Sequence, residues 1–197
     1  MRISTSRLTS IAAAALVAVS SSAVLADKTY VSDQGHTEVL FGWSHVGITR
    51  QNGEFTESKA VLKLAENIAD SSVSVEIQTD SLSSGFGALD DHLKSEDFLE
   101  VETYPTITFE STSVEMDGDT KMAVTGDLTI HGVTKSVVLQ AEMTLNGNHP
   151  LGGRIDYYKG DWVAFNASTE IDHQEFDVGG FSTGPIAITI NTEMKAE

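Results

Sequence analysis

Hydrophobic and polar residues alternate along most of the chain. Val39, Phe41, Trp43 and His45 alternate with Glu38, Leu40, Gly42 and Ser44, and Val73, Val75 and Ile77 with Ser74, Glu76 and Gln78. Ile107 and Phe109 repeat the pattern, as do Met122 to Ile130 on even numbers and Val137 to Leu145 on odd ones. Val163, Phe165, Ala167 and Ile171 share a parity, and so do Ile186, Ile188 and Ile190. A period of two places one apolar face on each segment, the signature of a half-buried strand. With a less regular stretch at Gly53–Leu64, about eight strands are predicted. The connections carry Gln51-Asn52-Gly53, Asp117-Gly118-Asp119, His131-Gly132 and Asn146-Gly147-Asn148, so neighbouring strands run antiparallel. The fold class is all-β, a sandwich or barrel.

One stretch breaks the period. In Ala88–Leu99, the residues Leu89, His92/Leu93 and Phe98/Leu99 fall at helical intervals. Acidic residues gather at its start and Pro105 lies beyond its end. A single short helix is predicted there, against an opening of the barrel. No internal repeat, linker or second domain interrupts residues 27–197.

The first 26 residues follow a different logic. Arg2 and Arg7 precede an uncharged apolar run, Ile11–Val19, and Val24-Leu25-Ala26 suits a signal peptidase. Residues 1–26 are expected to be a cleaved signal peptide and 27–197 the mature barrel, in the periplasm. Loss of two arginines and no acid takes the formal net charge from −17 to −19. Such a chain is repelled by nucleic acid and by anionic membrane surfaces. The apolar run is too short to span a bilayer comfortably, so no stable membrane insertion is expected. Cysteine is absent, and a domain of this size does not need disulfides to hold it.

Several segments together resemble the YceI-like family of periplasmic proteins, also called polyisoprenoid-binding or lipid-binding. They are His36–Phe41 with His45, Gly53-Glu54-Phe55, Asp91–Leu99, Tyr104–Ser111, Gly126–Lys135 and Ile171–Phe176. Each is weak alone; their order and spacing are specific, and the resemblance covers about residues 29–193. Two positions depart from it: His173 stands where the family usually has arginine, and Thr37 where it has serine. The resemblance implies an eight-stranded antiparallel lipocalin-like barrel around an elongated apolar cavity that takes a polyprenyl or similar chain. It also implies a binding protein rather than an enzyme, with no cofactor.

From pattern and resemblance, the candidate ligand-binding residues are Phe41, Trp43, Phe55, Val75, Ile77, Phe109, Leu128, Phe165, Phe176 and Ile188, together with Leu93 and Phe98 of the helical stretch; these last two, with Leu99, are expected to cover the mouth. The residues alone leave open whether the barrel is packed or hollow, because large side chains mix with Gly126, Ala141 and Ala167. At about 0.8 kcal/mol per buried carbon, an isoprene unit gains roughly 3–4 kcal/mol. Three or four units offset an association cost of about 4–15 kcal/mol. The tail can therefore carry binding, and the headgroup is not legible. A homodimer, which would extend the cavity or cover its mouth, is left open.

The competing reading is an exported hydrolase or metal-dependent enzyme on a β-barrel. Gly180-Phe181-Ser182-Thr183-Gly184 matches the G-x-S-x-G elbow, but that motif requires a helix to follow, and Pro185 with alternating isoleucines predicts a strand. His36, His45, His92, His131, His149 and His173 include no pair at metalloprotease spacing. Asp90-Asp91 and Glu96-Asp97 read as solvated charges on a helix, and Asn166-Ala167-Ser168 as a sequon inside a strand. No catalytic residue and no metal ligand is assigned.

Overall fold

The computed structural model describes residues 27–180 and 184–197. The expected signal peptide at 1–26 and Ser182 lie outside the described residues. Ten strands form one antiparallel sheet: β1 (Lys28–His45), β2 (Thr49–Phe55), β3 (Ser58–Leu64), β4 (Ser72–Gln78), β5 (Leu82–Ser83), β6 (Thr106–Asp117), β7 (Lys121–Ile130), β8 (Val133–Asn148), β9 (Asp161–Ile171) and β10 (Ile186–Ala196). Pairing of β10 with β1 closes the sheet into a barrel.

The wall has eight places. β2 and β3 share one of them, because both pair with the same side of β1: β3 along Lys28–Val31 and β2 along Val39–His45. The irregular stretch in the sequence is thus two strands with a break at Thr56-Glu57, and the two-residue β5 extends the edge of β2. On its other flank, β1 shifts register against β10 between Ser32 and Thr37. There the Asp33 carboxylate accepts the Gly35 N–H at 3.1 Å, a local turn that competes with the ladder.

The β7–β8 turn shows why hairpin neighbours pair so tightly. Ile130 pairs with Val133, so His131 and Gly132 alone make the turn, with φ of 51° and 76°. A two-residue turn with both centres left-handed matches the twist of the flanking strands.

The helix, α1, spans Gly87–Lys94, which corrects the expected extent of Ala88–Leu99. It stops because its last carbonyls are taken from outside the helical pattern. Ser95 donates both its N–H and its hydroxyl to the His92 carbonyl, and the Leu99 and Val101 amides donate to Leu93 and Lys94. Phe98 and Leu99 leave the helix and pack against the barrel core instead. At the other end, Asp90 does more than sit in solvent. Its Oδ1 accepts the Ser84 N–H at 2.6 Å and the Ser84 hydroxyl at 2.5 Å, which fastens α1 to the residue that follows β5. Those two bonds, hydroxyl first, hold the carboxyl below its ordinary range.

The two ends of the barrel differ. Around one end stand α1, the β1–β2 and β7–β8 turns and the β9–β10 connection. The other end is packed by Tyr30, Leu62, Val163 and Met194. Outside it, the connection from β8 to β9 folds back over Trp162, whose indole N–H donates to the Tyr158 carbonyl and whose side chain is fully buried. No helix among the described residues is long and apolar enough to cross a membrane.

Candidate ligand cavity

Strand alternation sends one face of every wall strand inward, and the inward face is apolar but does not fill the interior. An outer lobe of about 480 Å³ lies towards the α1 end. An inner lobe of about 130 Å³ lies towards the packed end. Val39, Val75, Ile77, Phe109, Leu139 and Ile190 line both, so the lobes meet at a ring of side chains from β1, β4, β6, β8 and β10. The outer lobe alone falls within the roughly 300–1,000 Å³ of small-molecule sites.

Eleven of the twelve sequence-predicted residues line the outer lobe. Phe41 and Trp43 come from β1, Phe55 from β2, Val75 and Ile77 from β4, Phe109 from β6, Leu128 from β7 and Ile188 from β10. Leu93 comes from α1, Phe98 from the turn after it and Phe176 from the connection after β9. Phe165 is the exception: it lines the inner lobe. Two aromatics are laid against the wall by glycines on the adjacent strand. A Cβ on Gly53 would lie 2.4 Å from the Phe41 ring, and one on Gly126 would lie 2.3 Å from the Phe109 ring. Phe41 then packs on Phe55 and Trp43, at 5.3 and 5.8 Å between ring centres.

Other lining residues were missed. Ile107, Ile130 and Ile171 share the inward parity of their strands, so alternation alone could have found them. Leu82 and Val178 lie in β5 or in a connection, where no period marks a side chain as inward, whereas Leu99, expected at the mouth, does line the outer lobe.

Polar groups on the outer lobe are few: Ser44, His45, His92, Thr169 and His173. Ser44 and His45, with Val46, are exposed at the end of β1, where the cavity reaches the surface. His173 is only 6% exposed. It sits in a one-turn 3₁₀ helix, His173–Phe176, started by the Asp172 carboxylate accepting the Gln174 N–H. Its Nδ1 lies 2.6 Å from the Val178 carbonyl oxygen. A carbonyl only accepts, so Nδ1 carries the proton. Nε2 has no hydrogen-bond partner among the described residues. The ring is therefore fixed by its own loop and acts as part of the wall.

Chemically the cavity can exclude water from a long apolar group. Among the described residues, no three histidine, aspartate or glutamate side chains gather as metal ligands. The strand β10 begins at Ile186, with Pro185 alone between it and the G-x-S-x-G segment, so a strand follows the motif.

The YceI-like domain profile matches residues 30–197. A UPF0312 protein of Vibrio parahaemolyticus is 38% identical over 152 residues, covering 76% of this chain and 77% of that one. The crystal structure of the Campylobacter jejuni YceI protein superposes with a TM-score of 0.67 at 25% identity, over 79% of this chain and 90% of that one. A polyisoprenoid binding domain from Saccharophagus degradans, implicated in plant cell wall breakdown, has a TM-score of 0.63 at 10% identity, covering 87% and 99%.

Proposed function

The chain belongs to the YceI-like family, and from that premise we propose that it is an exported, non-enzymatic binding protein that holds a polyisoprenoid or other long-chain amphiphile. The tail lies in the two-lobed cavity and the head stays near Ser44 and His45. Its place is the periplasm, reached through cleavage after Ala26. One observation carries the reading. Among the described residues the cavity wall is mainly apolar in both lobes, and the polar side chains of the outer lobe are limited to Ser44, His45, His92, Thr169 and His173, a set suited to excluding water from an apolar chain. The Saccharophagus neighbour, a polyisoprenoid binding domain, supports an isoprenoid as the occupant.

The test is native mass spectrometry of the full chain, secreted with its own leader into the periplasm of a Gram-negative host. A mature chain starting at Asp27, carrying an adduct that organic solvent extracts as an apolar-tailed lipid, is the expected result. No extractable lipid, together with no uptake of added prenyl alcohol, overturns the reading. Ester hydrolysis lost in Ser182→Ala would replace it with the hydrolase.

A further inference from the structure

We propose that the rim formed by the β1–β2 turn and the start of α1 is a docking surface for the face of an uncharged lipid bilayer, so that the mouth of the barrel opens against a membrane rather than into water. The docking stands on the rim itself and goes beyond the binding function.

Among the described residues, the three most exposed large hydrophobic side chains are Ile48 at 78%, Val46 at 76% and Phe86 at 66%. They stand on two segments of the same mouth. Val46 and Ile48 make the β1–β2 turn with Gly47, between the paired His45 and Thr49. Phe86 immediately precedes α1. Val46 and Leu89 of α1 both line the outer lobe, so the exposed turn and the cavity wall form one continuous apolar surface.

Two of these side chains work against the local fold. Val46 holds φ at 46°, a left-handed conformation that strains a β-branched residue and that asparagine or glycine adopts readily. Phe86 occupies the N-cap of α1 and makes no side-chain capping bond there, where serine, asparagine or aspartate would. Local chemistry favours a small polar residue at both positions. An apolar one that stays exposed points to a surface outside the chain.

Charge and area select that surface. Residues 39–53 and 81–89 contain no acid in a chain that has 29, and Arg50 is their only formal charge. Exposed acids such as Asp91, Glu96 and Asp97 lie farther along α1 and after it, and Asp172, Glu175 and Asp177 lie in the β9–β10 connection. A second copy of so acidic a chain is repelled. The three side chains together expose on the order of 400 Å², about half of the roughly 800 Å² that each partner buries in a stable protein interface. Tips of that size suit entry to the boundary between headgroups and acyl chains, roughly 5–10 Å deep. There the Arg50 guanidinium meets lipid phosphate. A bilayer without net charge sets no repulsion against the acidic remainder of the protein.

The test is flotation of the full mature chain with vesicles of phosphatidylcholine, with and without phosphatidylglycerol, beside thermal unfolding. The wild type should float with the uncharged vesicles, and less with the anionic ones at low salt. Phe86→Asp and Val46→Asn should each cut flotation by about tenfold or more. Their melting temperatures should hold or rise, because each supplies the residue type its position favours. Ile48 and Phe86 do not line the outer lobe. Ile48→Asp should therefore lose flotation as Phe86→Asp does, with uptake of a short prenyl alcohol from solution unchanged in both. A wild type that stays off uncharged vesicles, flotation that requires the anionic lipid, or variants that float like the wild type overturn the docking surface. A dimer in analytical ultracentrifugation that the same substitutions dissociate also overturns it, and makes the rim an interface between copies. Uptake of prenyl alcohol from solution decides the binding function separately: its absence overturns that function, while flotation still decides the docking.

Discussion

The Gly126–Phe109 pair offers the sharpest test of how the cavity is held open. Gly126 in β7 lies beside Ser111 of β6, and Phe109 lays its ring flat over the space a side chain would occupy. In Gly126→Ala the new Cβ meets Phe109 Cζ at 2.3 Å and Cε2 at 2.6 Å. It also meets the Glu110 carbonyl oxygen at 2.6 Å. The ring can swing away only into the lumen, at the junction of the two lobes. The backbone carbonyl cannot swing at all. Overpacking of this kind costs about 1–3 kcal/mol. For a domain of this size each kcal/mol lowers the melting temperature by about 2–4 °C, so a fall of roughly 2–12 °C is expected by circular dichroism, with the binding of long prenyl alcohols weakened more than that of short ones. Phe109→Leu in the same chain removes the ring clash but not the carbonyl contact. The double variant should therefore recover part of the loss, with a coupling of about 0.5–3 kcal/mol. A Gly126→Ala protein that melts with the wild type, or single effects that simply add, would refute the account of a ring held back by a glycine.

Two further outcomes are expected. The Nδ1 of His36 lies 2.7 Å from the Asp33 carboxylate, and that hydrogen bond, despite some burial, raises the His36 pKa above its ordinary 6.5. Burial pushes the Asp33 carboxyl up, but hydrogen bonds from His36, the Gly35 N–H and Tyr157 outweigh it and leave the pKa below its ordinary 3.8. The histidine's contribution is full below 6.5 and lost as pH rises through its raised value; the aspartate's is full above 3.8 and lost as pH falls through its lowered value. The pair therefore acts between those limits, and its exposure keeps it to about 1 kcal/mol or less. The melting-temperature gap between wild type and His36→Gln should be widest near pH 5.5 and shrink by pH 8.5; a gap that grows with pH reverses the assignment. In Ser84→Ala, Asp90 loses the hydroxyl that contributes most to its depressed pKa, so its carboxyl titration, read by NMR, should move up towards 3.8, with faster amide exchange in α1. An unmoved titration would mean that Ser84 does not fasten the helix.

Alternation is a strong signal wherever both neighbours of a strand are themselves regular. It marked Phe41, Trp43, Val75, Ile77, Phe109, Leu128 and Ile188 as inward without knowledge of which strands pair. It lost its grip at Gly53–Leu64, where one stretch feeds two strands against the same partner, and in connections such as Leu82 and Val178, where the backbone has no period. The helix was legible as a helix but not in length. Its end depends on where the Leu99 and Val101 amides find acceptors, and that is a matter of chain folding rather than residue type.

The sequence by itself determined that the chain makes strands with one apolar face, that they are joined by turns short enough to force antiparallel pairing, and that one short helix interrupts them. These are local properties, set by side-chain parity and turn chemistry over a few residues at a time. Only the tertiary structure decided that the interior is hollow. The same large and small residues could interlock or stand apart, and which occurs depends on register. Ala141 faces Ala167 across two strands, Phe109 lies over Gly126, and room is left between them that no single strand could reveal. The division into two lobes, and the placing of Phe165 in the inner one, follow from the same long-range pairing.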